Sequence, residues 1–244
     1  MQKDTQIIGI RTIIEAIKAG STIDKVFIQK NTQGELMSSL LKLLKQHSIN
    51  FSYVPVEKIN KLSQGNHQGA VATVSPISFV PLERLVEEVL SKNENPLFLV
   101  LDQISDTGNF GAIIRTASCT GVDGIIIQKH GAAPVNATTV KTSAGAVFKI
   151  PICKVDHIKD AVFYLQASGI KSFAASEKST KTIYETDFKT GLALIMGSEE
   201  KGVNPSVLKL VDAIVKLPVY GEIESLNVSV ACGAILYEVV RQRL

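Results

Sequence analysis

From Pro96 to its end, this 244-residue chain repeats one pattern: a short continuous apolar run, then an amphipathic or capped helical stretch. The runs are LFLVLD (97–102), GIIIQ (124–128), KIPICKV (149–155), IKSFAAS (170–176), LALIMG (192–197) and AIVKLP (213–218). Apolar runs without polar alternation mark strands buried on both faces, which is the signature of a parallel sheet. Helical patterns at Phe110–Thr120, Asp156–Ser168, Pro205–Val211 and Asn227–Arg243 separate them, so the expected fold is α/β, a mostly parallel sheet covered by helices. Such sheets bind ligands beyond the carboxyl ends of their strands, and the residues of interest are sought there.

The segment before Pro96 is a different unit. Ile7–Ala19 reads as a helix, Lys25–Gln29 as a strand and Gly34–His47 as an amphipathic helix. A strand over Asn50–Val54, a helix over Val56–Ser63 and a strand over Gly69–Val74 complete a small α/β domain, ending at residue 76. Residues 77–95, with an acidic helical stretch Pro81–Leu90 and the polar run SKNEN, read as a linker to the domain at 96–244. The formal net charge is only +3. Lys and Arg outnumber Asp and Glu before residue 77 and are nearly balanced after Pro96, so the basic excess is N-terminal, compatible with phosphate contacts or with a plain solvated surface.

Apolar residues make up 45% of the chain, enough for a core, and no run reaches the length of a membrane span or has the form of a signal peptide. A cytoplasmic protein is expected. Cys119, Cys153 and Cys232 are widely spaced in apolar contexts and read as buried free thiols. His47, His67, His130 and His157 have no ligand-like spacing, and no metal is expected.

Three constellations follow predicted strands. In DQISDTGNFGAIIRTA (102–117), Asn109 stands in a turn and Arg115 on the helix that begins between them, both near the strand's carboxyl end. A helix cap and a solvated arginine would look the same. In LALIMGSEEKGV (192–203), a buried strand ends in Gly197, with Glu199 and Gly202 following. Here glycine permits either close approach to a ligand or a tight turn. The third, KLPVYGEIESLNVSVACGAILYEVVRQRL (216–244), places Ser225 and Asn227 around Leu226 where a terminal helix leaves its first N–H groups free, a position that capping alone explains. No GxGxxG opens a helix, which argues against a nicotinamide or flavin enzyme, and there is no P-loop.

In this order, NFGAIIR (109–115), GSEEKG (197–202) and Leu217-Pro218 through SLNVSVA (225–231) resemble motifs one, two and three of the SpoU, or TrmH-type, RNA ribose methyltransferases. The resemblance covers about residues 96–244. The N-terminal segment, with HQGAVA (67–72), is similar to the small substrate-binding domain of members that methylate a guanosine of 23S ribosomal RNA.

The resemblance implies a deep trefoil knot in the C-terminal domain and a homodimer with active sites at the subunit contact. It implies S-adenosylmethionine as cofactor, touching Gly197, Leu217 and Leu226, and structured RNA as partner, chosen by residues 1–76. Asn109, Arg115, Glu199, Ser225 and Asn227 fall at the catalytic and substrate-binding positions. Thr107 stands where the family usually has proline, and Glu200 where many members have glycine. The expected activity is 2′-O-methylation of a ribose, foremost a 23S rRNA guanosine. Transfer RNA methylation, or a non-catalytic RNA-binding or ribosome-assembly role on the same fold, are the alternatives.

Overall fold

A computed structural model describes residues 6–63, 65–221 and 225–244. The chain divides into two compact units, one comprising Met1–Ser78 with Pro134–Ala137, the other Phe79–Ala133 with Thr138–Leu244.

The first unit contains β1 (Gln6–Ile8), α1 (Ile10–Lys18), β2 (Ile23–Gln29), α2 (Glu35–Gln46), β3 (Phe51–Val54), α3 (Val56–Leu62) and β4 (Ala70–Val74). The sheet order is β1-β4-β2-β3, with β2 and β3 parallel and β4 antiparallel to both its neighbours. Ile13, Ile14 and Ile17 of α1 and Leu40 and Leu44 of α2 bury against Val26, Ile28 and Ala72 on one face. On the other face, Ile59 of α3 meets Val54 and Val71. The helix expected over Ile7–Ala19 is split. Gly9, at φ +92°, ends β1 and its N–H bonds to the Ala70 carbonyl, so Ile7 pairs with Ala72 in a sheet rather than continuing the helical stripe.

The second unit contains α4 (Leu82–Leu90), β5 (Leu97–Asp102), α5 (Thr107–Cys119), β6 (Gly124–Gln128), all but the first residue of α6 (Ala137–Thr142), a 3-10 turn (Ala146–Phe148), β7 (Ile152–Val155) and α7 (Ile158–Ala167). It continues through β8 (Lys171–Ala175), a 3-10 turn (Ile183–Glu185), β9 (Leu192–Gly197), α8 (Pro205–Leu208), β10 (Ala213–Val215) and α9 (Val228–Arg243). The strands form one parallel sheet in the order β10-β8-β9-β5-β6-β7, as the apolar runs predict. Every residue of β5 is buried, and it lies in register between β6 and β9, from Leu97 beside Leu192 to Asp102 beside Gly197. Burying a large aliphatic or aromatic side chain contributes roughly 1.5–3 kcal/mol, so β5 and β9 anchor the unit. Leu85 and Val86 of α4 join the core that covers Phe98, Val100 and Ile126. From β5 the chain moves outward through β6 to β7, and it re-enters at β8 on the far side of β9. Ligands gather where strand order reverses in this way, and the order fits the trefoil knot that the resemblance implies.

Local differences from the sequence-based expectation have simple causes. α5 begins at Thr107, not Phe110, because the Asp106 carboxylate accepts the Asn109 N–H (2.7 Å) and caps a helix whose first residues look turn-like. Asn109 therefore sits in the first helical turn rather than before it. Cys119 is exposed at the end of α5, whereas Cys153 and Cys232 are buried with thiols pushed up to about 12 by burial, which keeps them protonated and unreactive. Among the described residues no helix is long and apolar enough to cross a membrane.

Candidate active site

The chain is closely packed against itself at the carboxyl end of β9. A Cβ on Gly197 would run into the backbone of Gly202 and Val203, so only glycine lets the chain fold back across the strand end. The returning loop is closed by the Gly202 N–H bonding to the Ser198 carbonyl (2.8 Å). It is pinned to the neighbouring strand where the Asn204 N–H donates to Asp102 Oδ2 (2.7 Å). Asp102 is buried; desolvation pushes its carboxyl above the usual aspartate range, and the Asn204 N–H only partly offsets this.

This loop carries Glu199 to two other segments. Glu199 Oε1 accepts from Asn109 Nδ2 (3.1 Å), from Asn227 Nδ2 (2.6 Å) and from the Val228 N–H (3.4 Å). Asn227 Nδ2 also donates to Asn109 Oδ1 (3.0 Å), which closes a triangle of three side chains from three separate motifs. The opposite end of the Asn227 amide caps α9: its Oδ1 accepts from the N–H groups of Ser229 (3.0 Å) and Val230 (3.4 Å) and from the Ser229 hydroxyl (2.6 Å). The carboxylate of Glu199 thus lies at a helix N-terminus, where negative charge is favoured.

Two cavities flank this triangle. The first, about 330 Å³, opens beyond β8, β9 and β10, and Gly197, Glu199, Leu217, Ser225 and Leu226 line it. The second, about 580 Å³, is lined by Asn109, Gln128 and His130 among others and shares Ser198–Lys201 and Val228 with the first. Seven of the eight residues singled out from the sequence are therefore gathered here: six line a cavity, and Asn227 is hydrogen-bonded to two of the six. Arg115 is exposed on α5 and lines neither cavity. Sequence reasoning passed over Asp102, Gln128 and the Ser176–Lys178 stretch of the first cavity. The signal available for the first two was a polar residue closing an otherwise apolar strand. Thr107 occupies the first helical position after the cap, where proline is favoured but not required, so α5 starts normally without it. Glu200 lines both cavities.

The first cavity suits a zwitterionic nucleoside. Its volume falls within the roughly 300–1,000 Å³ of small-molecule sites. Leu226 and Val219 present exposed apolar surface for a base, while Glu177 and Lys178 offer both signs of charge. Among the described residues no group of three or more His, Cys, Asp or Glu could hold a metal.

Fold and cavity together define an α/β protein with a small-molecule-sized site at the carboxyl ends of a parallel sheet. Residues 96–237 match the SpoU rRNA Methylase family and residues 6–80 match the RNA 2′-O ribose methyltransferase substrate binding family. A Bacillus subtilis protein assigned to the TrmH family of tRNA/rRNA methyltransferases is 34% identical over 242 residues, covering 99% of this chain and 97% of its own length. A Staphylococcus aureus protein assigned to the same family is 33% identical over the same share of each chain. Among solved structures, the AdoMet-bound rRNA methyltransferase from Sinorhizobium meliloti superposes with a TM-score of 0.64 at 25% identity, over 98% of this chain and 88% of that one. The SpoU methyltransferase AviRb from Streptomyces viridochromogenes, in complex with AdoMet, gives 0.62 at 26% identity, over 98% and 90%. The chain belongs to the SpoU, or TrmH, family and is an S-adenosylmethionine-dependent RNA methyltransferase.

Proposed function

We propose that the chain methylates the 2′-hydroxyl of a guanosine in 23S ribosomal RNA, that it works as a homodimer, and that residues 1–76 select the RNA while 96–244 carry the chemistry. One observation supports the site assignment above others: the Asn109, Glu199 and Asn227 side chains, far apart in sequence, meet at the wall between two cavities. The substrate-binding match over 6–80 and the basic excess of that segment support RNA selection there.

In this reading Gly197, Leu217 and Leu226 hold S-adenosylmethionine, whose sulfonium supplies a methyl group already activated for transfer. The chain's task is alignment and care of one proton. Glu199, held by three donors, fixes Asn109 and Asn227 as a rigid rim, and Ser225 beside it contacts the ribose or the cofactor. Arg115 anchors the adjacent phosphate and orients the 2′-hydroxyl, since a guanidinium donates hydrogen bonds and has no lone pair to accept a proton. Its exposed place on α5, away from both linings, suits a residue that serves the partner's site across the subunit contact.

Labelled methyl transfer to RNA, with the modified nucleotide mapped as ribose-methylated, tests the activity. Arg115→Ala should keep cofactor and RNA binding and lose turnover. A product methylated on the base, or a ribose methyl placed only on transfer RNA, would overturn the substrate assignment. Normal turnover of the Arg115 variant would remove that residue from the mechanism.

A further inference from the structure

The second cavity contains an unusual atom. Gln128 closes β6, the run GIIIQ, and is one of the residues that line the cavity. Its Oε1 is buried with no hydrogen-bond partner, the only side-chain nitrogen or oxygen among the described residues in that state. A buried acceptor left unpaired lowers stability, and an apolar residue of similar shape would remove the penalty. A strand that is apolar through Ile125, Ile126 and Ile127 and then places an amide here keeps an acceptor ready for a donor from outside the chain.

The surroundings indicate what that donor is. Ile104 and Val228 give the cavity apolar surface, while Gln103, Ser105 and His130 give it hydrogen-bonding groups, a mixture that fits the faces and edges of a nucleobase. The wall shared with the first cavity carries Glu199, and Asn109 stands on the second cavity's side of it. A nucleotide whose base enters the second cavity therefore brings its ribose to that wall, facing the cofactor cavity. We propose that the second cavity receives the base of the nucleotide being methylated, unstacked from its RNA, and that Gln128 Oε1 accepts an N–H from the Watson–Crick edge of that base. Unstacked bases of single-stranded RNA are recognised by hydrogen bonds to their edges, and enzymes that act on a base extrude it in the same way. Guanine offers two adjacent N–H groups on that edge. The inference rests on the ribose-methylation reading above and names the residue that recognises the base.

The test is Gln128→Leu, which keeps the size and removes the acceptor. Methyl transfer is measured to 23S rRNA transcripts carrying each of the four bases at the modified position. The variant should lose about tenfold in kcat/KM, mostly through KM for RNA, the effect of one hydrogen bond to substrate. It should also discriminate less between the four bases, while cofactor affinity stays the same and Tm is equal or higher because the orphaned acceptor is gone. Wild-type kcat/KM with unchanged base preference would overturn the assignment. If leucine lowers Tm, Gln128→Met, a more adaptable isostere, carries the same expectations. Loss of cofactor affinity with base preference intact would also overturn it, because Gln128 would then be supporting the first cavity. A wild-type enzyme that places its methyl on a base instead of a ribose would refute the underlying reading, a result separate from any behaviour of the Gln128 variants.

Discussion

At the scale of single residues, Asn227 shows why one side-chain type is required. Its carbonyl oxygen caps α9 while its amide nitrogen donates to Glu199 and Asn109. Aspartate caps a helix as well as asparagine but has no donor to offer and would set a second negative charge beside Glu199. Asn227→Asp should therefore leave α9 formed, with Tm close to wild type, and lower kcat by about a hundredfold, the scale on which small misplacements act. Thermal melting beside steady-state kinetics checks this, and a fall in Tm large enough to explain the lost rate would mean that Asn227 is only a cap. The sequence carried this residue in a recognisable motif, but a cap and a site residue are spelled alike. What distinguishes them is the pairing of Asn227 with residues 28 and 118 positions away, which no local pattern records. Cys119 departs from the expected burial for a related reason. Its context is helical and partly apolar, and only the rotation of α5 against the sheet puts it outside.

At the scale of elements, legibility followed burial. The ranges of β5, β6 and β9 agree with their apolar runs because both faces of each are covered, so no polar alternation blurs the ends. The runs around β7 and β10 overshoot. Lys149 caps the 3-10 turn Ala146–Phe148 and β7 begins only after Pro151, while Lys216 leaves β10 to bridge with Thr182. α6, with the sequence ATTVKT, went unseen because a β-branched, threonine-rich stretch has weak helical propensity and is held by its surroundings. The junction of β5 with the β9 loop adds a pH dependence. Burial raises the Asp102 pKa in the folded chain, so the folded state keeps this proton to a higher pH than the unfolded state does. Stability then falls as pH rises from the ordinary aspartate range through the raised folded value, and stays lower by a constant amount above it. Asp102→Asn retains an acceptor for the Asn204 N–H and cannot ionise. It should remove this part of the decline and be at least as stable as wild type at neutral pH. Urea midpoints across the acidic range measure it, and a parallel decline in the variant would show that Asp102 is not the group responsible.

At the scale of the whole molecule, Arg115 is exposed and lines neither cavity while Asn109, Glu199 and Asn227 form a compact triangle, an arrangement that fits the proposal that two copies share each site. Leu226, Val230 and Tyr237 of the third motif and α9 are exposed in the single chain, apolar surface that a subunit contact of this kind would cover. Subunit mixing separates the alternatives. Arg115→Ala and Asn227→Asp proteins should each be inactive alone. If Arg115 serves its partner's site, a dimer with one copy of each variant has one site with both residues intact and one with neither. Random pairing of equal amounts then restores about a quarter of wild-type turnover, since half the dimers are mixed and each has one working site of two. If Arg115 serves its own site, every site in every pairing lacks one residue and mixing restores nothing. Cofactor binding by both variants, measured beforehand, excludes misfolding as the cause of a null result, and subunit exchange is verified by differential tagging so that silence after mixing counts against a shared site.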